Sequence, residues 1–99
     1  MDADEIRTLL GDNIFERAKK YRKRIQQSTC TVNADGVRHI SAMVQDSGGS
    51  YYYTQAWLRE NGSFVSASCS CPYNQNGEGT YCKHIGALLL DDAEKNAPA

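Results

Sequence analysis

The sequence predicts an α+β fold, a four-stranded antiparallel meander with flanking helices, and three observations carry that expectation. Residues 12–24 place apolar side chains at helical spacing. Residues 25–68 break into short β-prone segments separated by the turn dipeptides Asp35-Gly36, Gly48-Gly49 and Asn61-Gly62. Such pairs tolerate the positive φ of tight hairpins, so consecutive segments should pair with their neighbours in the chain. An apolar run then returns at Ile85, Leu88 and Leu89 and predicts a closing helix.

Taken in order, residues 1–11 read as a short or frayed helical lead-in, because Gly11 interrupts the pattern of Ile6, Leu9 and Leu10. Asp12 is placed to cap a helix running to about Arg24. In that helix Ile14, Ala18, Tyr21 and Ile25 fall on one stripe, with Phe15 beside it. Strands are expected near 26–34, 37–45, 51–58 and 63–70, with pairing near 32 and 38, 44 and 52, and 57 and 65. Alternation of Ile40, Ala42 and Val44 against Arg38, Ser41 and Met43 implies one buried face, which the helices would cover.

Tyr51, Tyr53 and Trp57 share one side of their strand and Tyr52 takes the other, and these aromatics read as core packing. Cys30 reads as a small core residue and His39 as a surface or packed strand residue. The polar stretch 73–80 should form a loop. Asp91, Asp92 and Glu94 lie where the dipole of the closing helix disfavours acids, so that end should fray into a disordered tail. The resulting division is a lead-in at 1–11, a domain at 12–92 and a tail at 93–99.

Ninety-nine residues make one domain's worth of chain. The hydrophobic fraction, 40%, is below the roughly 45–50% of ordinary globular chains, so the core should be modest and would benefit from a cross-link. The apolar runs are too short to span a bilayer and the first five residues include three acids, so the expectation is a cytoplasmic protein with no membrane partner. In such a reducing setting, closely spaced cysteines beside a histidine are metal ligands rather than disulfide partners.

Cys69-Ser70-Cys71 and Cys82-Lys83-His84 form two such pairs. Side chains two apart on a strand point the same way, so Cys69 and Cys71 can converge on one ion at the end of the fourth strand. Within a regular helix residues two apart diverge, so Cys82 must precede the closing helix and His84 must lie in its first turn. Three thiolates and one imidazole complete a tetrahedral zinc site and leave no position for water or substrate. One structural zinc ion is therefore the expected cofactor. A Cys82–His84 nucleophile pair is the enzyme alternative. The two further cysteines at ligand spacing account for these residues better, so no catalysis and no small-molecule substrate are expected.

Cys69-Ser70-Cys71-Pro72 followed by Cys82-Lys83-His84-Ile85-Gly86-Ala87-Leu88 resembles the SWIM zinc finger, whose pattern is Cys-x-Cys, a variable gap and Cys-x-His. The resemblance extends over about residues 12–90, with Phe15 and Tyr21 similar to upstream aromatics of bacterial members. It departs where such members often carry glycine between those aromatics and this chain has Ala18 and Lys19. Members accompany Swi/Snf-type helicase-like ATPases and transposases, so the resemblance implies a DNA- or protein-binding accessory role. The chain has no phosphate-binding loop motif of its own.

The net charge of −1 conceals a basic segment. Arg17, Lys19, Lys20, Arg22, Lys23 and Arg24 are six of the eleven basic groups, and no acid interrupts them. These six are the candidate nucleic-acid contacts, since a dense local field attracts phosphates whatever the total charge. The alternative partner is a protein, or an ATPase domain in the same polypeptide.

Overall fold

The computed structural model describes residues 1–72 and 81–95. Helix α1 (Ala3–Leu10) and helix α2 (Asp12–Tyr21) lead through a 3-10 turn (Arg22–Arg24) into strands β1 (Ile25–Val32), β2 (Val37–Gln45), β3 (Tyr51–Arg59) and β4 (Phe64–Cys69). Helix α3 (Lys83–Lys95) closes the described chain. The sheet order is β1-β2-β3-β4 with every pair antiparallel. Val32 faces Arg38 and Val44 faces Tyr52 as expected, while Trp57 faces Ser66 rather than Val65 beside a bulge, so the expected meander is present with its last register shifted by one residue. Gly36, Gly49 and Gly62 take φ of +80°, +92° and +90° in the three hairpin turns, a region that favours glycine.

One side of the sheet carries the core. Ile40, Ala42 and Val44 of β2 and Thr54, Ala56 and Leu58 of β3 are buried together with Ile6, Leu10, Phe15, Ala18 and the run from Ile85 to Leu90. The three helices form a single layer over that side, and the opposite side is open. Tyr52 packs against the core as expected, but the reading of Tyr51 and Tyr53 as core is corrected. They are 46% and 44% exposed, because among the described residues no second layer receives them. Cys30, expected in the core, is exposed on the edge strand β1.

The N-terminal segment is more ordered than a frayed lead-in. The Asp2 carboxylate accepts the Glu5 N–H at 2.8 Å while the Glu5 carboxylate accepts the Asp2 N–H at 3.0 Å, a reciprocal cap that fixes the first turn of α1. Ile6 and Leu10 then enter the core. Gly11, at φ +84°, ends α1 and also caps α2, so Asp12 lies inside the second helix rather than at its cap.

Arg38 was grouped with the outward residues of β2, yet it has the parity of Ile40. Its guanidinium reaches the helix layer and grips Asp92 through two hydrogen bonds of 3.0 and 2.9 Å. Glu94 pairs with Arg22, and Asp91 pairs with Lys95 at 2.9 Å. These contacts explain why α3 runs regularly to Lys95 instead of fraying. Charge-assisted hydrogen bonds contribute about 1.5–3 kcal/mol each, against roughly 0.3–1 kcal/mol for an unfavourable helix-dipole position. The expected loop at 73–80 and the end of the tail at 96–99 lie outside the described residues.

Helices α2 and α3 meet at a close contact. A Cβ added at Gly86 would lie 2.6 Å from Ala18 Cβ and 2.7 Å from Leu10 Cδ1. Leu10 can rotate away, but Ala18 Cβ is fixed to its backbone. Gly86→Ala should therefore lower the stability of the zinc-loaded protein by about 1–3 kcal/mol in urea denaturation, despite alanine's better helix propensity. Adding Ala18→Gly should restore part of the loss. A neutral or stabilising Gly86→Ala would show that the helices do not pack this closely.

Candidate metal centre

Cys69 ends β4, and the backbone pairing with β3 continues one residue further. Ser70 N–H donates to the Tyr53 carbonyl at 3.1 Å and Ser70 Oγ accepts the Tyr53 N–H at 3.0 Å. That pairing holds the strand extended, so Cys69 and Cys71 share the helix-facing side. Cys82 sits immediately before α3 and His84 in its first turn, as the spacing requires. All four residues are buried.

The three Sγ atoms and one imidazole nitrogen of this set lie within 4.8 Å of one another. His84 Nδ1 stands 3.7 Å from Cys69 Sγ and 3.8 Å from Cys82 Sγ. A tetrahedral zinc ion, with bonds of about 2.3 Å to sulfur and 2.0–2.1 Å to nitrogen, sets such donors about 3.6 Å apart. The residues present thus fit one zinc ion, which when bound supplies a covalent-strength link between β4 and α3.

The surroundings are arranged for thiolates and for one orientation of the imidazole. The Cys82 thiol donates to Cys69, and with His84, Thr54 and the Cys71 peptide N–H assisting against the cost of burial it lowers the Cys69 pKa below the ordinary thiol range. The same shared proton, together with burial, pushes Cys82 above the ordinary thiol range, although the Ile85 peptide N–H works against that shift. Thr54, fully buried, places Oγ1 3.3 Å from Cys69 Sγ.

With Nδ1 turned to the sulfurs, His84 Nε2 carries the proton and donates to Asp46 Oδ1 at 3.0 Å. Burial disfavours the Asp46 carboxylate, but His84 and Lys83 outweigh it, and its pKa lies below the usual carboxylate value. Asp46 is itself fixed in the β2–β3 turn, where its N–H donates to Ser50 O at 2.7 Å and its carbonyl accepts from Gly49 N–H at 2.9 Å. The His84 ring lies against Tyr52, with centroids 5.2 Å apart, and meets Tyr21 edge-on at 5.5 Å.

Cys82, His84 and Asp46 lie in the order of a thiol–imidazole–carboxylate relay. Cys82 is only 2% exposed, however, and two more thiols crowd the same point, which suits a closed metal site better than a nucleophile. The arrangement defines a Cys3His zinc finger. Its particular kind is indicated by the sequence of that span: residues 52–92 match the SWIM zinc finger family. No curated protein and no solved structure matches the chain.

Two of the six basic candidates are engaged in ion pairs. Arg17, Lys20 and Lys23 are exposed. Lys19 pairs with Glu16 at 2.8 Å and Arg22 with Glu94. The Arg24 guanidinium lies 5.5 Å over the Tyr21 ring and donates to the Asp46 carbonyl at 3.4 Å. Lys83, absent from the sequence-based set, stands over the same ring at 5.1 Å. Sequence reasoning also missed Asp46, Tyr52 and Thr54. Strand parity could have placed Tyr52 and Thr54 beside the buried Ala56 and Leu58, whereas Asp46, next to Ser47-Gly48-Gly49, reads only as a turn residue.

Because Asp46 orients the ring that faces the sulfurs, Asp46→Ala should weaken zinc binding by about 10–100-fold in competition with a coloured chelator. The circular dichroism of the zinc-saturated protein should be unchanged. Unaltered affinity would show that Asp46 does not hold His84 in place.

Proposed function

We propose that this zinc finger is a non-catalytic interaction module, the accessory part of a larger DNA-associated protein, and that it meets nucleic acid through its basic segment. The observation that carries this reading is the exposed set Arg17, Lys20 and Lys23, bordered by Arg24 and Lys83, on a segment without a carboxylate of its own. Tyr21 ties that segment to the metal site through its ring contact with His84, so zinc would stiffen the surface that meets phosphate. A cytoplasmic setting accords with cysteines kept reduced for a metal. No helix among the described residues is long and apolar enough to cross a membrane.

A protein-binding adaptor is the second reading, and it draws on the ion pairs that occupy Lys19 and Arg22. With those two neutralised, only three or four cations remain for phosphates, and contacts of this kind carry no base selectivity. The log–log dependence of duplex affinity on salt should have a slope of about −3, and Lys20→Ala with Lys23→Ala should flatten it by about two. Titration of a labelled duplex at several salt concentrations measures both. Absence of duplex binding at low salt would favour the adaptor.

A further inference from the structure

We propose that the open side of the sheet binds single-stranded nucleic acid by stacking bases on Tyr51, Tyr53 and Trp57. This deepens the nucleic-acid reading above and rests on it. The three aromatics share the outward side of β3, where Tyr51 and Tyr53 are 46% and 44% exposed and Trp57 is partly covered by His39, whose ring stacks at 4.9 Å with a 22° tilt. Antiparallel sheets often keep one side wet, but that side usually carries polar or charged groups rather than a row of rings.

The chemistry around the rings selects the occupant. None of the strand residues is acidic, although the chain holds twelve acidic groups. A phosphate chain crossing this side therefore meets no carboxylate on the strands. Arg59 stands at one end of β3, and exposed Lys23, in the turn that feeds β1, lies toward the other end, since Ile25 pairs with Val44 and Gln45 pairs with Tyr51. The two ends are about 27 Å apart at roughly 3.4 Å per residue, room for several nucleotides.

Polar groups lie between the rings, with Met43 paired opposite Tyr53. Gln55 bonds His39 at 2.9 Å and Ser68 at 3.1 Å, and Thr29 bonds Ser41 at 2.6 Å. Bases present both a π-face and hydrogen-bonding edges, which suit rings flanked by such polar groups. Duplex DNA hides its base faces, so the sheet distinguishes single strands from duplex while the basic helix does not.

Trp57 is the only tryptophan, so its fluorescence reports on this surface alone. The zinc-loaded chain is titrated at low salt with an oligothymidylate of about 12 nucleotides, within the range that single-strand modules occupy, and separately with a duplex. The oligothymidylate should quench Trp57. Tyr53→Ala should weaken that binding about tenfold, Tyr53→Phe should retain it, and duplex affinity should be unchanged in both variants. Single-strand binding that leaves Trp57 silent, or that Tyr53→Ala does not weaken, would overturn the proposal while leaving the basic-helix reading intact. A Trp57 change that follows protein concentration without any oligonucleotide would also overturn it, by assigning this side to a second copy of the chain. Binding of neither nucleic acid would remove both readings.

Discussion

Four donor atoms join the end of the sheet to the start of the closing helix. Cys69 and Cys71 belong to the end of β4, Cys82 and His84 to the start of α3, and their convergence within 4.8 Å sets where the helix begins and which way it points. Much else follows from that placement. The seven consecutive residues from His84 to Leu90 are buried, so α3 supplies a large share of a modest core. Structural zinc in finger peptides is worth about 10–16 kcal/mol, comparable to the whole net stability of a small domain at about 5–15 kcal/mol. A link of that size at one end of α3 outweighs the Arg38–Asp92 fork at the other, which fastens the helix but does not build its start.

The same centre reaches outward through the residues that hold His84. Tyr21 brings the end of α2 against the imidazole, and Asp46 brings the β2–β3 turn to its far nitrogen. Arg24 and Lys83 stack over Tyr21 while both also contact Asp46, one at its carbonyl and the other at its carboxylate. Metal site, basic segment and hairpin turn therefore share side chains. The Gly86–Ala18 contact adds a steric tie between α2 and α3, which leaves the helix layer little room to shift relative to the sheet.

Much of this was legible in the sequence because the governing signals are local. The turn dipeptides specified the hairpins, strand parity gave the register of the first two pairings, and the divergence of helix positions two apart placed Cys82 outside α3. What was not legible depends on which layers exist. Tyr51, Tyr53 and Trp57 look like core in a sequence, yet among the described residues no layer lies on their side, and Tyr51 and Tyr53 are exposed. Asp92 looks unfavourable until Arg38, far away in sequence, supplies a partner. Asp46 reads as turn punctuation, since its role comes from a histidine 38 positions later. Ala18 makes sense once Gly86 is seen to take the opposite side of the contact.

The central claim, that one metal ion organises the closing helix and with it the core, is tested most directly by following the amide resonances of Ile85 and Leu88 as zinc is removed with a chelator. The account predicts that both leave their native positions together with those of residues 64–72, that Cys71→Ser gives the same spectrum without chelator, and that Cys30→Ser, on the exposed edge, does not. Native shifts for Ile85 and Leu88 in the metal-free protein would contradict it.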